Sequence, residues 1–579
     1  MRGNLGWLAV AALVVVTLSG CTNAAKRAAK ESAQLHALAD RYYAARFDFE
    51  PSSATDTGIH DRDSKLEDYS DLRLQFEHVS LRAFMDTLTT AIDTTALTPD
   101  DLVDFQLLRR DAEQRLMAME ELKLYERYPD LYHQTASNAI YSLIKRNFAP
   151  LDDRLRAVAD REDKIPDLID QGKANLKNPP EIYTRVAIEQ AQGTVDFFSK
   201  VVPAAAADCK DPALKARVLK ANEECVGVCK DYLHWLQTDL LPRSKGDFAL
   251  GRDLFMKRCR MEEGITETPE TLLAEGLRAV EENHRQMLAV ARQIDSTATF
   301  QEVLARTEAH HPSAAGLLDS CRAELTGLRQ FIVDHRIVPL PGGEDLHVTD
   351  TPVFERSLVI AQMDSPGPLE DKAKEAFYYV TPPDAKLSAA EQDEYLHSFC
   401  RGLVYTTSSH EAYPGHYVQG LYQRQNPDLI RKLSGSYAYS EGWAHYCEQM
   451  MLDEGFSKDP ELRLYQLHDA LLRLCRLVLT VRMHTQGWTV EQAADYLVRE
   501  GYQPKPTAMV EAKRYTSDPL VLSYTWGKWH ILKLRDEVKK RMGAAYSISD
   551  FHKRLLSLGG VTIPQAETLL LTASAPKSP

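Results

Sequence analysis

The sequence predicts a mainly α-helical protein with a small β element, on three observations. Apolar residues recur every three or four positions over long stretches, strand-like alternation is rare, and prolines and glycines gather between the periodic stretches. Helical strips are clear at Leu107-Leu108, Ala112, Leu116 and Met119 to Leu122. They recur at Leu272-Leu273, Leu277, Val280 and onward to Val290. The best strand candidates are Ser357 to Gln362 and Ala376 to Thr381, which place the β element near 355–382.

Taken in order, the first segment reads as an export signal. Met1-Arg2 supplies positive charge, Leu5 to Leu18 is an unbroken run of apolar and small residues, and Leu18-Ser19-Gly20-Cys21 follows. About fourteen apolar residues are too few to span a bilayer but suit a secretory signal. Cys21 after small residues resembles a bacterial lipobox, so residues 1–20 are expected to be removed and Cys21 lipidated. A lipid on a soluble body anchors it without spanning the membrane. The expected location is the cell envelope, facing the periplasm; Thr22, rather than Asp, after the cysteine favours the outer membrane over the inner.

Beyond the signal, residues 21–340 read as an N-terminal helical region and 341–579 as a C-terminal catalytic, metal-binding region, divided at the loop Pro339 to Gly343. A chain of 579 residues buries a sizeable core without covalent staples. The net charge of -14 argues against nucleic acid as a partner. Eight of the nine cysteines remain after Cys21, an even number that permits disulfides in an exported protein. Cys209 or Cys259 could pair with Cys225 or Cys229; buried free thiols are the alternative. A monomer is expected.

Chemistry concentrates in His410-Glu411-Ala412-Tyr413-Pro414-Gly415-His416 and, downstream, Ser440-Glu441-Gly442-Trp443. A catalytic zinc site commonly takes three protein ligands plus water, and a nearby carboxylate accepts the water's proton. His410, His416 and Glu441 supply the ligands for one Zn2+ per chain, and Glu411 the general base. The spacing departs from the usual pattern. Histidines four apart share a helix face, whereas six apart leaves them roughly 120° out of register. Pro414 and Gly415 stand between them, and together they can break the helix and return His416 to the metal. Glu441, His445 and Glu448 share one helical face. Glu441 is expected as third ligand, His445 as a supporting or substrate-facing residue, and Glu448 as the alternative ligand.

The two motifs resemble those of bacterial proteins named for domain of unknown function 885, often exported lipoproteins and similar in pattern to helical gluzincin peptidases. The resemblance extends to Thr57-Gly58-Ile59-His60, Tyr378-Tyr379-Val380-Thr381-Pro382-Pro383, Gly487-Trp488-Thr489 and Leu522-Ser523-Tyr524. It implies a large helical ellipsoid with a deep cleft, and peptidase chemistry by analogy. By the same resemblance Tyr524 would stabilise an oxyanion, and Arg514 could grip a substrate carboxylate. Two stretches depart from the family pattern. Asp518-Pro519-Leu520-Val521 replaces a common Pro-Gly-Gln-Ala lead-in, and Thr480 and Arg482 stand where Asp and Gly are common. The expected activity is a zinc metallopeptidase acting on short peptides. The alternatives are a metal-dependent amidase with a non-peptide substrate, or an inactive envelope binding protein of the same fold.

Overall fold

The computed structural model describes residues 5–352, 356 and 360–573, with side chains from 24 to 572. The helical periodicity is realised almost throughout. We label α1 (Leu5–Phe49), α2 (Leu151–Glu162), α3 (Pro212–Trp235) and α4 (Pro269–Ile294) in the first half. After the sheet come α5 (Ala389–Leu396), α6 (Arg401–Glu411), α7 (His416–Gln425), α8 (Tyr437–Asp453), α9 (Pro460–Thr485), α10 (Lys505–Ser517) and α11 (Ser523–Met542). The side chain of Cys21 and all of Met1 to Asn4 lie outside the described residues. Among the residues described, no helix is long and apolar enough to cross a membrane.

The β element has three strands: β1 (Leu346–Asp350), β2 (Ala361–Asp364) and β3 (Ala376–Val380). Their order is β1-β3-β2. β1 runs parallel to β3 with Leu346 opposite Ala376, and β2 runs antiparallel to it with Ala361 opposite Val380. β3 takes the centre because Ala376-Phe377-Tyr378-Tyr379-Val380 is apolar on both faces. Two corrections to the sequence expectation follow. The second strand starts at Ala361, while Ser357 to Val359 lie outside the described residues. β1 was not expected at all: Leu-His-Val-Thr-Asp is half exposed and too polar to advertise a strand.

Packing divides into three apolar clusters. The main one gathers Leu35 and Tyr42 of α1 with Leu107, Leu328, Tyr378, Trp443, Trp526 and Leu555. The second lies wholly in the first half apart from Ala373, and includes Leu155 and Val158 of α2 and Cys225 and Cys229 of α3. In the third, Val280 and Met287 of α4 pack on Leu471, Val478 and Leu479 of α9. The main cluster therefore draws on residues from both sides of 340. The loop at Pro339 to Gly343 joins the halves in sequence and does not part them in space. All eight described cysteines are free thiols, and seven of them are buried. The disulfide alternative is thus replaced by the buried-thiol one: Cys225 and Cys229 are apolar core residues on one face of α3.

Candidate metal centre

The site begins with the helix break that the sequence required. α6 ends at Glu411, and α7 starts at His416 with Gly415 as its N-cap. Tyr413–Pro414 is a cis peptide. Gly415 is fixed by space: a Cβ there would lie 1.7 Å from the carbonyl oxygen of His410. The fully buried Trp443 holds the break against α8, its indole N–H donating to the Pro414 carbonyl at 3.0 Å. Tyr413 donates its hydroxyl to Glu344 (2.8 Å), and the Tyr417 hydroxyl accepts from the Asp345 amide (2.7 Å), so the motif tyrosine and the one just after it tie down the segment before β1. The result is two helices meeting at an angle. Their imidazole rings are 4.8 Å apart, close to perpendicular.

Glu441 on α8 completes the set. Its Oε2 lies 3.3 Å from His410 Nε2 and 3.4 Å from His416 Nε2. These distances are long for a charge-assisted hydrogen bond, and this oxygen has no hydrogen-bond partner. They equal the edges of a tetrahedron with metal–ligand bonds of about 2.0–2.1 Å, which span roughly 3.3–3.4 Å. The donor set and its spacing therefore fit a zinc ion. His416 and Glu441 keep 21% and 15% of their side-chain surface exposed against 8% for His410, so the centre opens to solvent on the His416 side.

Glu448 stands behind this layer. It is fully buried, and its Oε1 accepts from His410 Nδ1 at 2.8 Å while its Oε2 accepts from His445 Nδ1 at 3.0 Å. With Nδ1 donating to Glu448, His410 presents a lone pair at Nε2, the tautomer a metal needs. Glu448 thus orients His410, and Glu441 is the carboxylate that faces both histidines. His445 is only 2% exposed and is bonded to Glu448. Burial pushes its imidazole down to about 3. Burial would raise both glutamates. His416 and His410 nevertheless hold Glu441 well below the usual carboxylate range, and Arg473, His445 and His410 do the same for Glu448.

Glu411 takes a hydrogen bond from the Met363 amide of β2 at 3.2 Å, so the sheet positions the expected base. The ladder between β2 and β3 uses the alternate residues of β2, which leaves Met363 N–H pointing away from β3. Tyr524, on α11, lies with its ring centroid 6.3 Å from that of His410. It reaches that place through a close helix crossing. Gly527 packs on α8 at Ala438 and Gly442, where a Cβ would meet the Ala438 carbonyl oxygen at 2.0 Å. Arg514 donates to the Tyr437 hydroxyl (2.8 Å), which in turn lies 3.4 Å from the Tyr524 hydroxyl. Arg514, Tyr437 and Tyr524 form one chain leading to the centre, and the Arg514 side chain is 39% exposed.

Two members of this arrangement escaped the sequence reading. Tyr437 is one, though its place one turn before Glu441 was a usable signal. The other is Glu263, 3% exposed, which accepts from Ser436 Oγ (2.6 Å) and from the amides of Tyr437 (3.0 Å) and Ala438 (2.8 Å). It stands at the N-terminus of α8 from far away in sequence, where a carboxylate is favoured; no local pattern marks it.

With this geometry established, comparisons with known proteins can be set beside it. A family model for a bacterial protein of unknown function, DUF885, matches residues 51–570. A solved structure from Shewanella oneidensis, described as a "putative lipoprotein of unknown function", superposes with a TM-score of 0.78 at 25% identity, covering 92% of this chain and 99% of the other. A second solved structure, from Colwellia psychrerythraea and described as a "putative lipoprotein", gives 0.72 at 20% identity, covering 94% and 99%. The second shows the fold alone. A comparison with curated proteins finds no match.

Proposed function

Since this chain belongs to the DUF885 family, for which no activity is assigned, we propose its function from the centre itself: a zinc-dependent hydrolase that cleaves short peptides. The observation that carries the proposal is the pair of His–Glu441 separations, 3.3 and 3.4 Å, around an oxygen with no hydrogen-bond partner. His410, His416 and Glu441 would hold the ion, and Glu448 sets the His410 tautomer. When bound, zinc polarises a carbonyl and lowers the pKa of water to roughly 7.

The protein's own groups supply the rest. Glu411, next to a ligand and held by the Met363 amide, takes the proton of the attacking water and passes it to the leaving amine. The Tyr524 hydroxyl donates to the oxygen that gains charge as the carbonyl is attacked. Arg514 at the outer end of the tyrosine chain offers a partner for a substrate carboxylate.

Metal analysis of the purified protein is expected to give zinc at the centre, lost in His410→Ala and Glu441→Ala. Glu411→Gln is expected to retain the metal while cleavage of a peptide library falls by about 10²-fold or more. A wild-type protein that takes no zinc, or zinc-loaded protein with no turnover, would overturn the reading in two distinguishable ways.

The proposal extends to location. Leu18-Ser19-Gly20-Cys21 and the lipoprotein description of both structural relatives support a lipid anchor at Cys21 in the cell envelope, with Thr22 favouring the outer membrane. Cys21→Ser is expected to move the protein out of the membrane fraction.

A further inference from the structure

Among the described residues, three groups of side chains bring potential ligand atoms together. One is the centre described above. Another, His36 with Asp104 and Asp428, is already satisfied by protein: His36 Nδ1 bonds the Ser32 carbonyl and Nε2 bonds Asp428 at 2.7 Å, while Asp104 pairs with Arg431. The remaining group, His311, Asp393 and His397, differs in both respects.

His311 lies in the segment after the helix Phe300–Glu308, and Asp393 and His397 stand four residues apart, one turn, at the end of α5. The three ligand atoms lie within 4.8 Å of one another, and the two imidazole rings are 5.2 Å apart. His311 Nδ1 is engaged by the Pro312 carbonyl at 3.0 Å, which places its proton there and leaves the Nε2 lone pair free. That Nε2 is 3.5 Å from Asp393 Oδ1, long for a hydrogen bond and close to the edge of a zinc tetrahedron, roughly 3.4 Å. The His397 ring forms no hydrogen bond to a described residue. His311 is 10% exposed in its side chain and Asp393 68%, so the imidazole is held in place while the carboxylate is free to adjust, and water could reach an ion bound there.

We propose that His311, Asp393 and His397 form a second, non-catalytic zinc site that clamps the 309–313 segment to the end of α5. Two imidazoles and a carboxylate suit zinc among the divalent cations. The position gives the clamp a purpose. The Arg401 amide, first in α6, donates to the His310 carbonyl at 2.9 Å, so the clamped segment is the one that holds the start of the helix carrying His410. The inference is independent of the proposed activity.

The test is a difference in metal content after dialysis of the full chain against micromolar free zinc. His397→Ala and His311→Ala are each expected to bind one zinc fewer per chain than wild type, whatever the His410 centre holds. Asp393→Asn is expected to weaken the same site. His310→Ala, whose side chain points instead to Glu461, should match wild type. Far-UV circular dichroism checks that each variant is folded, and wild-type stoichiometry in folded His311→Ala and His397→Ala would overturn the proposal. So would an equal loss in His310→Ala, since a general surface histidine effect would then explain the difference.

Discussion

At the scale of single residues, the centre depends on groups that never touch substrate. Glu448 is the clearest case: it lies behind the centre yet decides which nitrogen of His410 would face the proposed metal. Glu448→Gln is expected to weaken zinc binding by about 10–100-fold, measured by competition with a chromophoric chelator, while helix content is unchanged. Glu162, at the end of α2, shows burial acting without compensation. Both its carboxylate oxygens are buried with no hydrogen-bond partner, and burial, reinforced by Asp163, raises its pKa to about 9. In the unfolded chain it ionises near 4.5, so between these values folding takes up a proton. Stability from this residue is therefore present below pH 4.5 and is lost as pH rises toward 9. Glu162→Gln removes that loss. The variant should match wild type in unfolding free energy near pH 4.5 and exceed it at pH 8, by up to about 5 kcal/mol.

At the scale of elements, the decisive feature is how helices are interrupted and how closely they cross. The sequence made the break at Pro414-Gly415 legible, because proline and glycine act on the backbone next to them. The approach of Glu441 to the two histidines was equally legible from its position on a helix with apolar neighbours. The crossing of α8 and α11 was not, because it depends on Gly442 and Gly527 meeting across 85 residues of chain. Gly527→Ala would drive a methyl into the Ala438 carbonyl and push Tyr524 away from His410. The expected cost is about 1–3 kcal/mol in stability, read by denaturant titration. Peptide cleavage should fall by more than that loss of folded protein explains, with zinc content retained. Tyr524→Phe separates the hydroxyl's role from the helix's: it should lower turnover without changing the thermal midpoint.

For the whole molecule, periodicity alone carried the fold class, since the 3.6-residue repeat is a local property. What it left out are the contacts made over hundreds of residues, such as His36 to Asp428 and Glu263 to the start of α8. These are what make one core from both sides of 340. The proposed metal centre draws on α6, α7 and α8, all of which contribute to that core, so metal binding there would be linked to global stability. At free zinc 1,000-fold above the dissociation constant the gain is about 4 kcal/mol. A strong chelator should therefore lower the thermal midpoint, zinc should restore it, and His410→Ala should lose most of the response.

The free thiols have a practical consequence. Cys225, Cys229, Cys259, Cys321, Cys400, Cys447 and Cys475 are all buried, and burial raises each thiol, so none is a ready nucleophile in the folded state. Among the described cysteines, Cys209 alone is partly accessible. These seven are spread over all three apolar clusters and the start of α6. A thiol-reactive dye would then label one site at once and the others only as each region opens. Mapping the labelled peptides over time would show which parts of the molecule breathe first, with no probe engineered into the chain.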